Sequence, residues 1–215
     1  GTDGGALNLD SVATAIFNTT LRNNVATQSG GGAISIQFSA LNVRNSTIIS
    51  NQAANYGGAI KINYCHDVVL DGLRFEQNNG SIGGGAVYVG YASNVTLTSS
   101  VFASNTLVAG NGGGLSIGAA VSNVVVRDTS FLGNSAAGGG GGGLYRSSIA
   151  SFSCDSCQFS GNSALYGPDQ ASGTNTTVVV VTVIVTLGFS RNVLVVLCML
   201  TRYLAHSSCL CRKCG

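Results

Sequence analysis

Charged residues are scarce in this chain: they make up 8% of its 215 residues, against about 25% in an ordinary soluble domain. Proline occurs once, and the only methionine is Met199. Through Thr176 there are six basic and eight acidic residues, so this part carries no excess of positive charge. Nucleic-acid-binding proteins present a basic patch or stripe. We therefore expect no nucleic-acid partner.

An initiating methionine is also missing, and nothing resembling a signal peptide precedes the first glycine motif. We expect a fragment or a processed chain. In place of charge the sequence has 31 glycines, together with many Asn, Ser and Val residues. This composition favours a β-rich fold whose surface is carried by small polar groups.

Two short motifs recur in phase along the first 170 or so residues. The first is an apolar residue, usually Phe, followed three positions later by Asn. Its apolar positions are Leu21, Ile48, Phe75, Phe102, Phe131 and Phe159, and its asparagines are Asn24, Asn51, Asn78, Asn105, Asn134 and Asn162. The second is a glycine pair followed within two residues by an apolar residue, beginning at Gly4, Gly31, Gly57, Gly84, Gly112 and Gly141. Two motifs that stay in phase through six copies indicate a repeat architecture.

Apolar residues alternate with polar ones on both sides of these motifs, and no unit shows helical periodicity. Each unit is therefore predicted to contain two or three short strands. Such units bury their apolar faces only by stacking. We predict an all-β, right-handed parallel β-helix of about six coils over residues 1–172, a rod of roughly 29 Å at the spacing of parallel strands. The asparagines, as turn residues that tolerate the left-handed conformation, should form an amide ladder, with the Phe residues stacked in the core and the glycines at a corner.

The combination of GGA[ILV], as in "GGAI" from Gly57, with Phe-x-x-Asn, as in "FEQN" from Phe75, resembles the repeat of the chlamydial polymorphic outer membrane proteins. The resemblance covers about residues 4–170. It implies a pectin-lyase-like right-handed β-helix that is exported to the cell surface and is often adhesive. In that family the repeats precede a membrane-translocating β-barrel, which the 45 or so residues after the last repeat are too few to form.

Many β-helices are polysaccharide lyases or hydrolases, so we searched for catalytic groups. Arg44 and Asp71 fall in one outward column, as do Arg127 and Asp155, and we interpret them as ladder ion pairs of small energy. His66 and Asp67 are expected in a turn beside Cys65, with a structural or solvated role. Lys61 is expected to be an exposed cation without an acidic neighbour. The glycine run 138–143 is followed by a strand, whereas a phosphate-binding loop needs a helix. We predict no catalytic residues, no cofactor and no metal.

The cysteine pair of "CDSC", Cys154 and Cys157, falls in the core columns of the last coil. A zinc site needs two further ligands, so buried thiols or a local disulfide are the favoured interpretations. Five asparagines begin N-x-[ST] sequons, which become glycosylated if a eukaryote secretes this protein. They are Asn18, Asn45, Asn79, Asn94 and Asn175.

The composition changes after Gly173. Residues 173–204 are hydrophobic and long enough for a transmembrane helix, although Arg191 and Asn192 make insertion marginal. Residues 205–215 form a basic, Cys-rich tail, with Cys209, Cys211 and Cys214 as candidates for acylation. The alternative is a gene-model artefact. We expect attachment to a membrane through this segment.

The functional hypothesis is a non-enzymatic module, structural or adhesive, that is secreted or lies at the cell surface. Its partner would be a host or neighbouring cell-surface protein or a glycan. The alternative is a carbohydrate-active, pectin-lyase-like enzyme whose catalytic residues lie outside this sequence.

Overall fold

The computed structural model describes residues 1, 3–147 and 151–173, and none of these lies in a helix. The predicted hydrophobic segment and basic tail, from residue 174 onward, lie outside the described residues. The described strands are β1 (Leu7–Asp10), β2 (Thr14–Phe17), β3 (Thr20–Arg22), β4 (Val25–Ala26), β5 (Ile34–Gln37), β6 (Leu41–Arg44), β7 (Thr47–Ile49), β8 (Gln52–Ala53), β9 (Ile60–Asn63), β10 (Cys65–Asp71), β11 (Arg74–Glu76), β12 (Asn79–Gly80), β13 (Val87–Thr98), β14 (Val101–Ala103), β15 (Thr106–Leu107), β16 (Leu115–Arg127), β17 (Ser130–Leu132), β18 (Ser135–Gly140), β19 (Leu144–Arg146), β20 (Ser151–Asp155), β21 (Gln158–Ser160), β22 (Ser163–Tyr166) and β23 (Gln170–Ser172).

The strands wind into a solenoid with three sheets, in which each strand pairs in parallel with the equivalent strand of the next coil. The largest sheet has eleven strands and contains both β1-β5-β9-β13 and β2-β6-β10-β13, with β16, β19, β20 and β23 beyond them. The second sheet runs β3-β7-β11-β14-β17-β21, and the third runs β4-β8-β12-β15-β18-β22. The predicted right-handed parallel β-helix of about six coils is confirmed.

The coils contain more strand segments than the alternation predicts. Coil 2, for example, has four: β5, β6, β7 and β8. The additional segments follow the ladder asparagines, and in coils 1 to 4 they have only two residues, too few to show alternation. In coils 4 and 5 the first two segments join into the long strands β13 and β16, with a register irregularity after Val89.

A seventh rung, β23, follows the six repeats and pairs with β19. The sequence motif does not reveal it, because Pro168 replaces the second glycine of the pair and Gln170 replaces the apolar residue that follows. In earlier coils the second glycine donates its N–H to the coil that follows, as Gly113 does to the Gly141 carbonyl. Pro168 occupies this position without an N–H to donate, so this last described rung needs no partner there.

The core consists of columns of the same residue type stacked in register. Val68, for example, pairs with Leu41 below and Val95 above. Along strands such as β6 and β9 the buried residues alternate with exposed or half-buried ones. This alternation follows from the pleat, which turns successive side chains to opposite faces.

The glycine pair forms one corner of each coil for two different reasons. Gly84 has φ +66°, a conformation that costs other residues energy. Gly85 has no such φ, but a Cβ there would meet the backbone carbonyl of Gly113 in the next coil. In coils 3 to 6 the first glycine has a positive φ and permits the turn, and the second permits the coils to approach closely.

Candidate binding surface

The six ladder asparagines stack on consecutive coils and hydrogen-bond along the axis. Asn51 shows the pattern: its backbone N–H and its Nδ2 both donate to Oδ1 of Asn78, each at 3.0 Å. Its Nδ2 also donates to the carbonyl of Leu21 at 3.1 Å. In turn, its Oδ1 accepts from the backbone N–H and Nδ2 of Asn24. An inner amide therefore has every donor and acceptor occupied.

The turn beside this ladder differs from the expectation in one detail. The asparagines themselves do not adopt the left-handed conformation. It is the residue before each of them that does, with φ between 52° and 63°, at Asn23, Ser50, Gln77, Ser104, Gly133 and Gly161. The side-chain amide points inward and bonds to the next coil only if the asparagine itself does not adopt the left-handed conformation. The preceding residue therefore adopts it and makes the turn.

Asn162 is the last ladder asparagine among the described residues. Its Nδ2 donates to the carbonyl of Phe131 at 2.9 Å and to Oδ1 of Asp169 at 3.1 Å. Asp169 stands where the earlier coils have Ala or Gly, and its carboxylate accepts the hydrogen bond that the next asparagine accepts in the earlier coils. This role of Asp169 was not predicted from the sequence.

The core positions before the ladder also stack in register, from Leu21 through Ile48 to Phe75, Phe102, Phe131 and Phe159. The ring centroids of successive Phe residues are 4.6, 4.9 and 4.9 Å apart. The middle rings are fully buried, whereas Leu21 and Phe159 at the ends are only partly buried.

A hydroxyl column that the sequence analysis did not identify lies two positions before the core ladder. The Ser46 hydroxyl donates to the Arg44 carbonyl at 2.8 Å and accepts the N–H of Thr19 at 3.0 Å. Ser100 does the same with Thr98 and Leu73. The recurrence of Ser or Thr at this phase could have indicated it.

Three columns of outward-pointing residues form the outer face of β2, β6, β10, β13, β16 and β20. The first column is Ala13, Ala40, Asp67, Asn94, Asn123 and Ser151; the second is Ala15, Asn42, Val69, Thr96, Val125 and Ser153; the third is Phe17, Arg44, Asp71, Thr98, Arg127 and Asp155. We call this surface the outer face.

Charged side chains on the outer face are paired along the third column. Arg44 lies 3.8 Å from Asp71, and Arg127 lies 3.5 Å from Asp155. Asp71 also accepts a hydrogen bond of 2.7 Å from the Thr98 hydroxyl. The side chains are largely exposed, so each ion pair stabilises the fold by about 0–1 kcal/mol.

The segment around Cys65 differs from the prediction. His66 and Asp67 lie in strand β10 rather than in a turn, because the strand extends to the bend at Tyr64. Both side chains are exposed, and Asp67 accepts a 3.0 Å hydrogen bond from Nδ2 of Asn94. Cys65 is buried, and burial raises the pKa of its thiol.

An aromatic stack lies on the surface at the position between the first and the second strand of a coil. This position is between β5 and β6 in coil 2, between β9 and β10 in coil 3, and within β13 in coil 4. Phe38, Tyr64 and Tyr91 are 55%, 48% and 45% exposed. Their ring centroids are 5.0 and 4.6 Å apart, and the rings are nearly parallel. The stack was not predicted from the sequence, although each of the three aromatic residues follows the first glycine of its coil by seven positions.

The outer face contains a shallow open cavity of about 350 Å³, which we call the alanine hollow. Methyl groups of Ala13, Ala15 and Ala40 line it on coils 1 and 2, while Asn42 and Asp67 supply the polar atoms. Thr14, Leu41 and Val69 complete the lining. The hollow exists because the alanines are shorter than the residues of the later coils.

Asp10 lies near the same end of the solenoid. Hydrogen bonds from the side chains of Gln37, at 2.9 Å, and Ser11, at 2.8 Å, lower the pKa of its carboxyl group. These donors stabilise the charged form, so Asp10 is an anion at neutral pH.

The structure also locates the cysteine pair and the sequons. A disulfide joins Cys154 and Cys157 in the sixth coil. Asn18, Asn45 and Asn94 are exposed and Asn79 is half-buried, whereas Asn175 lies outside the described residues.

Within the described residues, no group of three or more His, Cys, Asp or Glu side chains is arranged to hold a metal ion. A search of the same residues finds no helix of the length and apolar character that a membrane span requires.

No curated protein matches this chain, and no solved structure does. A protein-family model described as "Right handed beta helix region" matches residues 5–183, which is most of the sequence and includes every coil described above. With this match and a solenoid of parallel coils, the chain belongs to the right-handed β-helix family.

Proposed function

We propose that this protein is a non-enzymatic structural or adhesive module that is secreted or held at the cell surface. The observation that carries the proposal is the make-up of the outer face. Its columns consist mainly of Ala, Asn, Ser, Thr and Val, and the charges of its third column are largely paired along the axis. A regular surface of this kind, on a rod whose coils are hydrogen-bonded to one another, suits contact with an extended partner.

The spacing of the carboxyl groups supports a non-catalytic role. Glycoside hydrolysis uses two carboxyl groups about 5 to 9.5 Å apart. Asp67 and Asp71 are four residues apart on β10, which is about 13 Å along a strand. Asp71 and Asp155 are three coils apart, roughly 14 Å at the spacing of paired strands.

Two features support a location outside the cytoplasm. The Cys154–Cys157 disulfide is a bond that persists in oxidising compartments. The in-phase motifs resemble the repeat of the chlamydial polymorphic outer membrane proteins, which are surface proteins.

The membrane attachment proposed for residues 173–204 is tested by comparing the full chain with a chain ended at Gly173. Equal recovery in the soluble fraction would contradict the attachment.

Labelling of intact cells tests the location. An antibody against the full chain should stain intact cells of the source organism as strongly as permeabilised ones. Staining that requires permeabilisation would contradict a surface location.

A bead assay tests adhesion. Beads coated with the full chain should adhere to cells, whereas beads coated with the denatured chain should not.

A depolymerisation assay tests the absence of enzymatic activity. The full chain is incubated with neutral and acidic polysaccharides, and reducing ends and unsaturated products are measured. We expect neither product above the level of a heat-treated control. Product that increases with protein concentration would support the alternative, a carbohydrate-active enzyme.

A further inference from the structure

Four of the seven tyrosines in the sequence lie within residues 56–91, and they form two stacked pairs. The ring centroids of Tyr64 and Tyr91 are 4.6 Å apart, and those of Tyr56 and Tyr88 are 4.5 Å apart. A one-electron oxidant converts a phenol to a radical, and two phenol radicals that lie side by side join covalently. Each pair is therefore a candidate for an oxidative cross-link.

The two pairs differ in their access to solvent. Tyr64 and Tyr91 are 48% and 45% exposed, and their rings are nearly parallel, with 12° between the planes. Tyr56 and Tyr88 are half-buried, with 34° between the planes. Burial also raises the pKa of Tyr88, so its hydroxyl proton is held more firmly. The pair in the aromatic stack is therefore the one that is open to an oxidant in solution.

The aromatic stack contains one pair of phenols and no more. Phe38 stacks on Tyr64 with a centroid distance of 5.0 Å, but a phenyl ring has no hydroxyl hydrogen to lose. On the following coil Tyr91 pairs with Ala120, which has no ring. Each tyrosine of the stack therefore has the other tyrosine as its one phenol neighbour in the stack.

The backbone of Tyr64 is unusual for a residue of its size. Its φ is +54°, an outlier for a bulky side chain. Gly or Asn adopts this conformation at lower cost. A costly conformation of this kind indicates a functional constraint on the side chain.

We propose that Tyr64 and Tyr91 are a modification site at which oxidation joins the two rings into dityrosine. The co-reactants are hydrogen peroxide and a haem peroxidase. Each phenol loses one electron and its hydroxyl proton, and the two radicals form a bond between their Cε carbons. The hydrogen on each of these carbons then moves to the oxygen of the same ring. Two tyrosines and one hydrogen peroxide thus give one dityrosine and two waters.

The fold supplies the proximity that this coupling needs. Holding two reacting groups together makes a bimolecular step effectively unimolecular. The partner of a Tyr64 radical is 4.6 Å away on the next coil, although it is 27 residues away in the sequence. Exposed side chains change rotamer rapidly, so the two rings can turn until their Cε carbons meet. The product is a covalent link between coils 3 and 4.

The cysteine next to Tyr64 does not compete for the radical. Cys65 is 3% exposed, and its thiol donates to the Asn63 carbonyl at 3.4 Å. Burial raises the pKa of this thiol, and the thiolate is the reactive form of cysteine. The link does not depend on the adhesive function, because the oxidant needs only an exposed stack.

Peptide mapping of the oxidised full chain tests the site. The purified chain is treated at low concentration with hydrogen peroxide and a haem peroxidase, and the monomer is isolated by gel filtration. Trypsin cleaves after Lys61, Arg74 and Arg127, so Tyr64 lies in peptide 62–74 and Tyr91 in peptide 75–127. We expect the two peptides joined, with their summed mass less two hydrogen atoms, and the blue fluorescence of dityrosine.

Tyr64→Phe keeps the ring and the stack but removes the phenol, so it should abolish the link between these two peptides. Tyr56→Phe is the matched control, because it makes the same change in the half-buried pair. It should leave the yield of the link unchanged. Unchanged far-ultraviolet circular dichroism of each variant excludes a folding defect.

Phe38→Tyr extends the phenols of the stack by one coil. Its ring centroid is 5.0 Å from that of Tyr64, with 8° between the planes. We expect a new link between peptides 23–44 and 62–74. Absence of this link, where the wild-type link forms, would show that stacking in this column is not what directs the coupling.

Four results would overturn the proposal. They are no link in the wild type under conditions that couple free tyrosine, an undiminished link in Tyr64→Phe, links between chains only, or the same preferred link when the chain is digested before oxidation. The two proposals fail separately. Adhesion by a chain that forms no link contradicts the oxidation site alone, whereas a linked chain that does not adhere contradicts the adhesive function alone.

Discussion

At the residue scale, the positions with the least freedom to change are the buried ladder asparagines. Asn78 and Asn105 have no exposed surface, and each amide is bonded to the coils on both sides. Removing the Asn78 side chain takes a hydrogen-bond partner from Asn51 and Ile48 on one neighbouring coil and from Asn105 on the other. A buried polar group without a partner costs about 1–3 kcal/mol.

Asn78→Ala is therefore expected to lower the free energy of unfolding by about 3 kcal/mol or more. The measurement is urea denaturation followed by circular dichroism. Asn94→Ala is the control, because Asn94 is exposed and has one side-chain bond, to Asp67. It should change the free energy of unfolding by about 0.5 kcal/mol or less. Equal effects of the two substitutions would contradict the structural role of the ladder.

Substitutions at two glycines distinguish the effect of close approach between coils on stability from the effect of backbone conformation. A Cβ at Gly85 would meet backbone atoms of Gly113 and Thr106, which cannot move without shifting a coil. Gly133 has φ +62°, but a Cβ there has open space, with its nearest neighbour, the Ser104 hydroxyl, 3.8 Å away.

We expect Gly133→Ala to lower the free energy of unfolding by about 1–2 kcal/mol, the cost of a left-handed alanine. Gly85→Ala should lower it by more than about 3 kcal/mol, because a coil must be displaced. Thermal unfolding of both variants under one buffer condition provides the comparison. A larger loss for Gly133→Ala would refute this assignment of the two roles.

At the element scale, strands of the same type have similar sequences but unequal surroundings. The ring of Phe102 lies between Phe75 and Phe131, with centroid distances of 4.6 and 4.9 Å. Phe159 has a described neighbouring ring on one side only and is partly exposed. The stacking position is the same, but the buried area is smaller in the last coil.

Phe102→Ala is expected to cost about 3–5 kcal/mol, as is usual for a large side chain removed from a closed core. Phe159→Ala should cost about half as much, since part of its ring is already in contact with solvent. Chemical denaturation of both variants measures the difference. Equal losses would mean that residue 159 is as enclosed as residue 102.

At the scale of the whole molecule, each coil contacts mainly the coils on either side, so stability propagates along one dimension. The Cys154–Cys157 disulfide closes a short loop in the sixth coil. In the loop-entropy treatment, closing such a loop contributes about 2 kcal/mol. Its influence should be confined to the neighbouring coils.

Replacing both cysteines, Cys154→Ser with Cys157→Ser, should therefore reduce hydrogen-exchange protection in β20 and β21. Amides of β5 to β12 should keep their protection, because three coils separate them from the change. Exchange followed by mass spectrometry locates the effect. Loss of protection throughout the solenoid would show that the coils unfold as one cooperative unit.

The sequence predicts most of the fold of this molecule but less of its surface. The spacing of Phe75 and Asn78 from their equivalents predicts which residues stack, because each coil repeats at the same phase. It does not predict the two-residue strands such as β12, which are too short to show alternation, or the seventh rung β23, which lacks the glycine pair. It also places the left-handed turn residue one position too late.

What the sequence by itself determined is the solenoid: its coil count, the in-register ladders and the glycine corners. It could do so because equivalent residues of neighbouring coils are 26 to 29 residues apart, so the residues that stack can be identified by aligning the repeats. Only the tertiary structure decided which columns lie side by side on the surface, and where short side chains leave room. The alanine hollow depends on Ala13, Ala15 and Ala40 meeting Asp67 across three coils. A small residue that opens a cavity is indistinguishable, in one sequence, from a small residue on a flat surface.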